Sequence, residues 1–302
     1  AIREKMRNHM KGSKSLLNDS PWHDMSDILP NNSAVVTRFA YNNKETQMKA
    51  VTDCVALDNG WCWNVPTWTR IGSGYVYCDK FCSDQEAIDE FRDYLAENVE
   101  SDVGAYSDKM FRVIKWTTGR REKMWNGNVI SIGLSAGFIE PLESNGILSI
   151  HNFLLMFLRV MDGRRVITET MRNTFNNNCN GSFDEFASFV AAHFALTQRN
   201  DTPYWQHICD KHYPDSHAMF RFQRSWGAPS NTYDSVFNWL DLSSEGMLYV
   251  QAGQGWNPFS DVVYNEMSYY PGEIAEVQDH SWKGIDKLQC PYDYYKDTLY
   301  AS

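Results

Sequence analysis

From Ser33 to about Tyr77 the chain carries four short runs, SAVVTRFAY, MKAVTDCVAL, GWCWNV and GYVYC, rich in Val, Tyr and Trp. Asn-Asn, Asp-Asn-Gly and Gly-Ser-Gly separate them. β-branched and aromatic runs cut by turn formers read as strands, so this spacing predicts an antiparallel meander. The hydrophobic period then changes. Ser83 and Glu86 form a capping box ahead of an apolar stripe, Ile88, Phe91, Leu95 and Val99, which predicts a helix. Phe111–Trp116 reads as another strand, and NGNVISIGLSAG as a turn, a buried strand and a bend of small residues. Ser144–Met161 is apolar nearly all round, which predicts a buried helix stopped by Gly163. Ser182 and Glu185 form a second capping box, with Phe186, Phe189, Val190, His193 and Phe194 facing inward. Thr202 caps a further helix with Pro203 at its first position. The order predicts a mixed α/β (α+β) protein: residues 1–143 a β-sheet domain, residues 144–302 a mostly helical region, and a site between the two halves.

A chain of 302 residues can bury about 75% of its unfolded surface, enough for a core without disulfides or metal. Hydrophobic residues at 43% and charged residues at 22% are ordinary globular usage. The net charge of −10 argues against nucleic acid and against an anionic membrane surface as partners. The longest apolar stretch, Ile147–Val160, is too short to span a bilayer. Seven cysteines without a C-x-x-C pair predict a reduced, cytoplasmic protein. Eleven Trp, sixteen Tyr and sixteen Phe serve either a large core or a pocket for a flat ligand.

Chemistry concentrates in two stretches. In Asn128–Ile150, a strand ends in Gly-Leu-Ser-Ala-Gly, crosses Pro141 and enters a helix at Glu143-Ser144-Asn145-Gly146. A helix N-terminus offers free N–H groups and partial positive charge to an anion, and Gly146 leaves the backbone bare. The alternative is that Glu143 and Ser144 merely cap a core helix. In the second stretch, Trp61 and Trp63 are two apart and share one face of a strand ended by Pro66, with Gly72-Ser73-Gly74 a tight turn into the next strand. That is either cross-strand aromatic packing or an aromatic wall beside a flat cofactor. His207, His212 and His217 recur every five residues, which puts them on different helix faces, so no metal site is expected. Arg120-Arg121 reads as a solvated turn, with a phosphate contact the alternative. No GxSxG, GxxxxGK[ST], HExxH or GxGxxG occurs.

At these two stretches the chain resembles the flavin-dependent halogenases of the tryptophan halogenase family. The family's Trp-x-Trp-x-Ile-Pro motif is matched by Trp61-Cys62-Trp63-Asn64-Val65-Pro66, and its GSGYV turn by Gly72–Val76. Its G-x-x-x-x-F-x-(E/D)-P-L-E-S-T-G-I run is matched from Gly133 through Phe138, Glu140, Pro141 and Glu143 to Ile147, with Asn145 in place of Thr. Asp24-Met25-Ser26-Asp27, the Asp201–Trp205 segment and Ala252-Gly253 match too, and the resemblance runs from about Gly12 to about Pro258.

The resemblance implies a flavin-monooxygenase-like FAD-binding fold, present in part, and a two-component system. Reduced FAD (FADH2), supplied by a separate flavin reductase, would react with O2. A halide (chloride, bromide or iodide) would be oxidised to hypohalous acid, which crosses a tunnel to an electron-rich aromatic substrate. It further implies Glu143 and Ser144 as catalytic residues, and the N–H groups of Asn145 and Gly146 as the halide site. Trp61, Trp63, Pro66, Gly133, Leu134, Gly137, Pro141 and Ile147 would line the cofactor. Tyr233, Phe237 and Trp239 would line the substrate pocket. The family's amino-acid clamp is not recognisable, so an indole- or phenol-like ring is expected rather than free tryptophan. The family's GxGxxG segment and tunnel lysine precede the part matching Gly12, so the sequence is expected to be a fragment. Rival readings are a flavin-dependent aromatic hydroxylase and a non-catalytic module that binds an aromatic ligand. Assembly into a homo-oligomer stays open.

Overall fold

The computed structural model describes residues 19–99, 107–163, 166–195, 197–209 and 290–300. The chain divides into two compact units. One comprises residues 1–33, 77–81 and 115–250, the other residues 34–76, 82–114 and 251–302.

The second unit is built on five strands in the order β3-β4-β5-β2-β6. They are β2 (Ser33–Phe39), β3 (Asp53–Leu57), β4 (Gly60–Pro66), β5 (Ile71–Tyr77) and β6 (Arg112–Lys115), with a one-turn helix α1 (Lys44–Gln47) after β2. The expected meander therefore holds for β3-β4-β5, while β2 returns to the far side of β5. Gly72-Ser73-Gly74 is not the expected tight turn. It lies inside continuous strand β5, and the chain reverses instead at Thr67–Arg70, closed by Thr67 N–H to Arg70 O at 2.9 Å. Helix α2 (Asp84–Asn98) starts at the anticipated capping box: Ser83 Oγ accepts from Glu86 N–H, and the Glu86 carboxylate accepts from Ser83 N–H. It buries Ala87, Ile88, Phe91 and Leu95. Glu90 on this helix accepts from the Tyr75 hydroxyl at 2.7 Å, from the Asn59 side chain and from Asp58 N–H, locking the helix to the β3–β4 turn and to β5. The segment α6 (Pro291–Tyr294), continued by a π-helical turn to Leu299, brings Tyr300 into stacking with Trp68 at 4.9 Å.

The first unit holds a three-stranded antiparallel sheet in the order β1 (Trp22–Asp24), β7 (Gly119–Arg121), β10 (Gly137–Phe138). Two-residue strands β8 (Trp125–Asn126) and β9 (Val129–Ile130) make a hairpin, so the expected buried strand is only a half-buried fragment. Helices α3 (Gly146–Met161), α4 (Glu169–Ala195) and α5 (Pro203–Cys209) follow. The core joins Met124, Trp125, Ala136, Phe153, Phe175, Cys179 and Phe183. Asn176 brackets the Trp125 backbone, accepting from its N–H at 2.7 Å and donating to its carbonyl at 3.0 Å.

Three further expectations are corrected here. The capping box at Ser182 and Glu185 does not open a helix, because α4 starts at Glu169 and runs straight through both. Thr168 Oγ1 accepts from Met171 N–H at its start, and burial of Met171, Phe175 and Cys179 overrides the poor helix propensity of the intervening asparagines. Helix α3 is not buried all round. Phe153 faces the core, whereas Ile147, Leu148, Leu154, Leu155 and Leu158 form an exposed stripe, since only one side of the helix is covered among the described residues. Arg120-Arg121 is no solvated turn. Arg120 is 7% exposed and grips Asp184 of α4 in a two-pronged ion pair at 2.7 and 3.0 Å, while Arg121 donates to Ser135 O and Ser20 O.

Among the described side chains, the thiols of Cys62, Cys78, Cys82 and Cys179 are buried and those of Cys54 and Cys290 exposed. Burial pushes the Cys62, Cys82 and Cys179 thiols up to about 12. Roughly 10⁻⁴ of each is then thiolate at pH 8, and the thiolate is the nucleophile. Maleimide at pH 8 is expected to modify Cys54 and Cys290 in minutes and to leave these three untouched until denaturant is added, as read by peptide mass spectrometry. Equal labelling of Cys179 and Cys54 would contradict this packing.

Candidate active site

The helix start foreseen at residues 143–146 has an unusual backbone. Pro141–Glu143 forms a single 3₁₀ turn, closed by Ser144 N–H to Pro141 O at 2.9 Å. Ser144 then adopts φ 51°, ψ 28°, the one left-handed non-glycine residue among those described. Left-handed backbone costs an L-residue roughly 1–2 kcal/mol, and such strain tends to be kept where function needs it. Asn145 follows in right-handed geometry, φ −74°, ψ −2°, and α3 begins at Gly146. A left-handed residue followed by a right-handed one turns successive N–H groups to one side, making a concavity for an anion. The Ser144 N–H is spent on Pro141. The N–H groups of Asn145 and Gly146 make no backbone hydrogen bond among the described residues. They sit at the positive end of a 16-residue helix dipole.

Two side-chain observations add to this. Asn145 is 9% exposed and makes no helix cap, and its Nδ2 is buried without an acceptor among the described residues. An orphan buried donor is rare, and an anion satisfies it. A Cβ on Gly146 would meet nothing within 4 Å, so the approach to the cradle is open.

Glu143 stands beside the cradle with 35% of its side chain exposed, and its Oε1 lies 2.8 Å from His193 Nε2 of α4. Sequence reading placed His193 on the inward helix face without giving it a role; nothing in the local pattern joins residues fifty apart. Glu140, a member of the 133–147 motif, is fully buried, and its Oε2 accepts from Asn31 Nδ2 at 2.9 Å. Asn31 Oδ1 accepts in turn from the Tyr204 hydroxyl at 3.0 Å.

Of the expected cofactor residues, Gly133 (φ 59°), Leu134 and Ser135 form a 3₁₀ turn packed against Ile150 of α3. Leu134 and Ile147 are the two most exposed large aliphatic side chains among the described residues, at 79% and 83%. Pro141 opens the turn that carries Glu143. Gly137 has a packing reason of its own, because a Cβ there would come within 2.8 Å of Gly119 O and Phe183. Trp61, Trp63 and Pro66 lie on β4 of the other unit. Trp61 is buried and its ring centroid is 5.8 Å from that of Trp63. The Trp63 indole lies over Gly74, where a Cβ would fall 2.2 Å from the ring, so glycine is needed for close approach. Tyr233, Phe237 and Trp239 lie outside the described residues, as do His212 and His217.

A family model described as tryptophan halogenase matches residues 11–264, and the chain belongs to that family. The tryptophan 6-halogenase ThaL of Streptomyces albogriseolus is 32% identical over 301 residues, covering 94% of this chain and 55% of that protein. A solved structure described as VirX1 in its apo form matches with a TM-score of 0.75 and 30% identity, over 94% of this chain and 55% of that one. The crystal structure of the tryptophan 6-halogenase SttH from Streptomyces toxytricini matches at 0.76 and 27%, over 91% and 53%. The chain spans about half the length of these relatives.

Gly74→Ala is expected to dislodge Trp63, changing near-UV circular dichroism and costing about 1–3 kcal/mol of stability in urea unfolding. An unchanged spectrum and midpoint would show that the indole does not rest on this residue.

Proposed function

We propose that the chain is the halide- and substrate-facing part of a flavin-dependent halogenase that halogenates an electron-rich, indole- or phenol-like ring. The observation that carries this is the anion cradle at Ser144–Gly146 with a partly exposed carboxylate next to it. Relatives described as tryptophan halogenases support the class.

The described residues suit a flavin. Exposed Leu134 and Ile147 offer apolar surface to a flat ring, and the open space at Gly146 admits it to the backbone. Bound there, reduced FAD with O2 supplies the oxidising equivalents, in the balance FADH2 + O2 + X⁻ + H⁺ → FAD + H2O + HOX. This chain's own residues do the rest. The N–H groups of Asn145 and Gly146 hold the halide in place, and the orphan Asn145 Nδ2 adds positive potential nearby. Ser144 keeps the cradle's turn by its left-handed backbone. Glu143 has one carboxylate oxygen engaged by His193. Its second oxygen is assigned to orient the oxidant and to take the proton that the ring gives up when carbon–halogen bond formation is followed by rearomatisation. Trp61, Trp63 and Pro66 are assigned to the wall that keeps water from the oxidant.

Within this reading residues 1–143, together with the helix start at Gly146 and Ile147, carry flavin-side contacts, and the rest of residues 144–302 the substrate side, with Tyr233, Phe237 and Trp239 assigned to the ring. A separate flavin reductase supplies the reduced flavin. Among the described residues no helix is long and apolar enough to cross a membrane, and the proposed setting is the cytoplasm.

In the complete protein, Glu143→Gln is expected to lower halogenation of indole at least about 100-fold while halide-dependent oxidant release continues. Full halogenating activity in this variant would remove Glu143 from the chemistry, and an oxygenated product formed without halide would favour the hydroxylase.

A further inference from the structure

We propose that His193 is the positioning residue of the Glu143 carboxylate, an inference that rests on the halogenase reading of the same site. His193 comes from α4, a 27-residue helix tied down by the Arg120–Asp184 ion pair and the Asn176–Trp125 brackets. Glu143 comes from a single 3₁₀ turn leading into a left-handed residue. The helix is the firm element, and the glutamate, with three side-chain torsions, has the freedom to lose.

The imidazole is itself fixed. Its Nδ1 is 3.0 Å from the Phe189 carbonyl one turn back, and its ring meets the Phe189 ring edge-on at 5.1 Å and 75°. A carbonyl can only accept, so Nδ1 carries the hydrogen. Nε2 then faces Glu143 Oε1 at 2.8 Å with a single proton between them. The pair is imidazolium with carboxylate, or imidazole with carboxylic acid; in both forms Oε1 is engaged. Among the described residues, Oε2 is the oxygen left to face an oxidant or a ring. Second-contact residues that hold a reacting group to within a fraction of an ångström decide how much of its reactivity is used.

The consequence is a split between binding and turnover. His193→Ala should lower kcat for indole halogenation in the complete protein by about 10–100-fold, leave the KM for indole within about twofold, and raise the share of hypohalous acid escaping to a trap. His193→Gln, whose amide nitrogen reaches about as far as imidazole Nε2, should restore most of the rate. His193→Asn, which is shorter, should not. A merely structural histidine would give losses that follow stability rather than donor reach. Independently of turnover, long-range ¹H–¹⁵N spectra of histidine-labelled chain should show the His193 ring nitrogens moving on Glu143→Ala.

Wild-type kcat in His193→Ala, or Gln and Asn variants that recover equally, would overturn the positioning role. Unmoved ring nitrogens would overturn the contact itself. A wild-type protein that makes no halogenated indole would instead overturn the halogenase reading, and the spectra would still decide whether His193 orients Glu143.

Discussion

A buried carboxylate must be paired or it costs several kcal/mol, and this constraint sets the site. Glu140 is fully buried and meets Asn31, which meets Tyr204. These three residues lie 109 and 173 positions apart along the chain. The Asn31 carbonyl also accepts from Thr118, beside β7. The network fixes the backbone immediately before Pro141. The left-handed Ser144 follows four residues later, so the strained turn starts from an anchored point rather than a mobile loop. On its other side the turn runs into α3, whose Phe153 is locked in the core with Phe175 and Phe183 of α4. Anchored at both ends, the cradle can keep a conformation that an isolated peptide would abandon.

The same scaffold explains the placing of the glutamate. The Arg120–Asp184 pair and the Asn176–Trp125 brackets hold α4 against β7 and the β8–β9 hairpin. Arg121, next to Arg120, holds the Gly133–Ser135 turn through Ser135 O. The carboxylate, the anion cradle and the exposed Leu134 thus refer to one rigid frame, which is what preorganised electrostatics require. The apolar stripe of α3 starts at Ile147, beside the cradle, so exposed apolar surface adjoins the charged corner.

Features governed by neighbouring residues were legible in the sequence. The Ser83–Glu86 capping box, the Thr202–Pro203 helix start and the strand around Trp61 and Trp63 all depend on contacts within a few positions. The motif at residues 133–147 pointed to the turn and helix start that carry the candidate site. Its left-handed serine was not foreseen, because a non-glycine residue in that region is decided by tertiary anchoring. The capping box at Ser182 misled because local capping gains about 1 kcal/mol, less than α4 gains by burying Met171, Phe175 and Cys179. Gly74 read as a turn former, whereas its missing side chain seats an indole from the next strand. His193 and Glu140 stayed silent because their partners are far away in sequence.

The central claim is that the backbone at Ser144–Gly146 is an anion site for a halide. The most direct measurement is anomalous diffraction from a bromide-soaked crystal of the protein. The account predicts an anomalous peak in hydrogen-bond contact with the Asn145 and Gly146 nitrogens. Bromide bound only elsewhere, with no density at that turn, would contradict it.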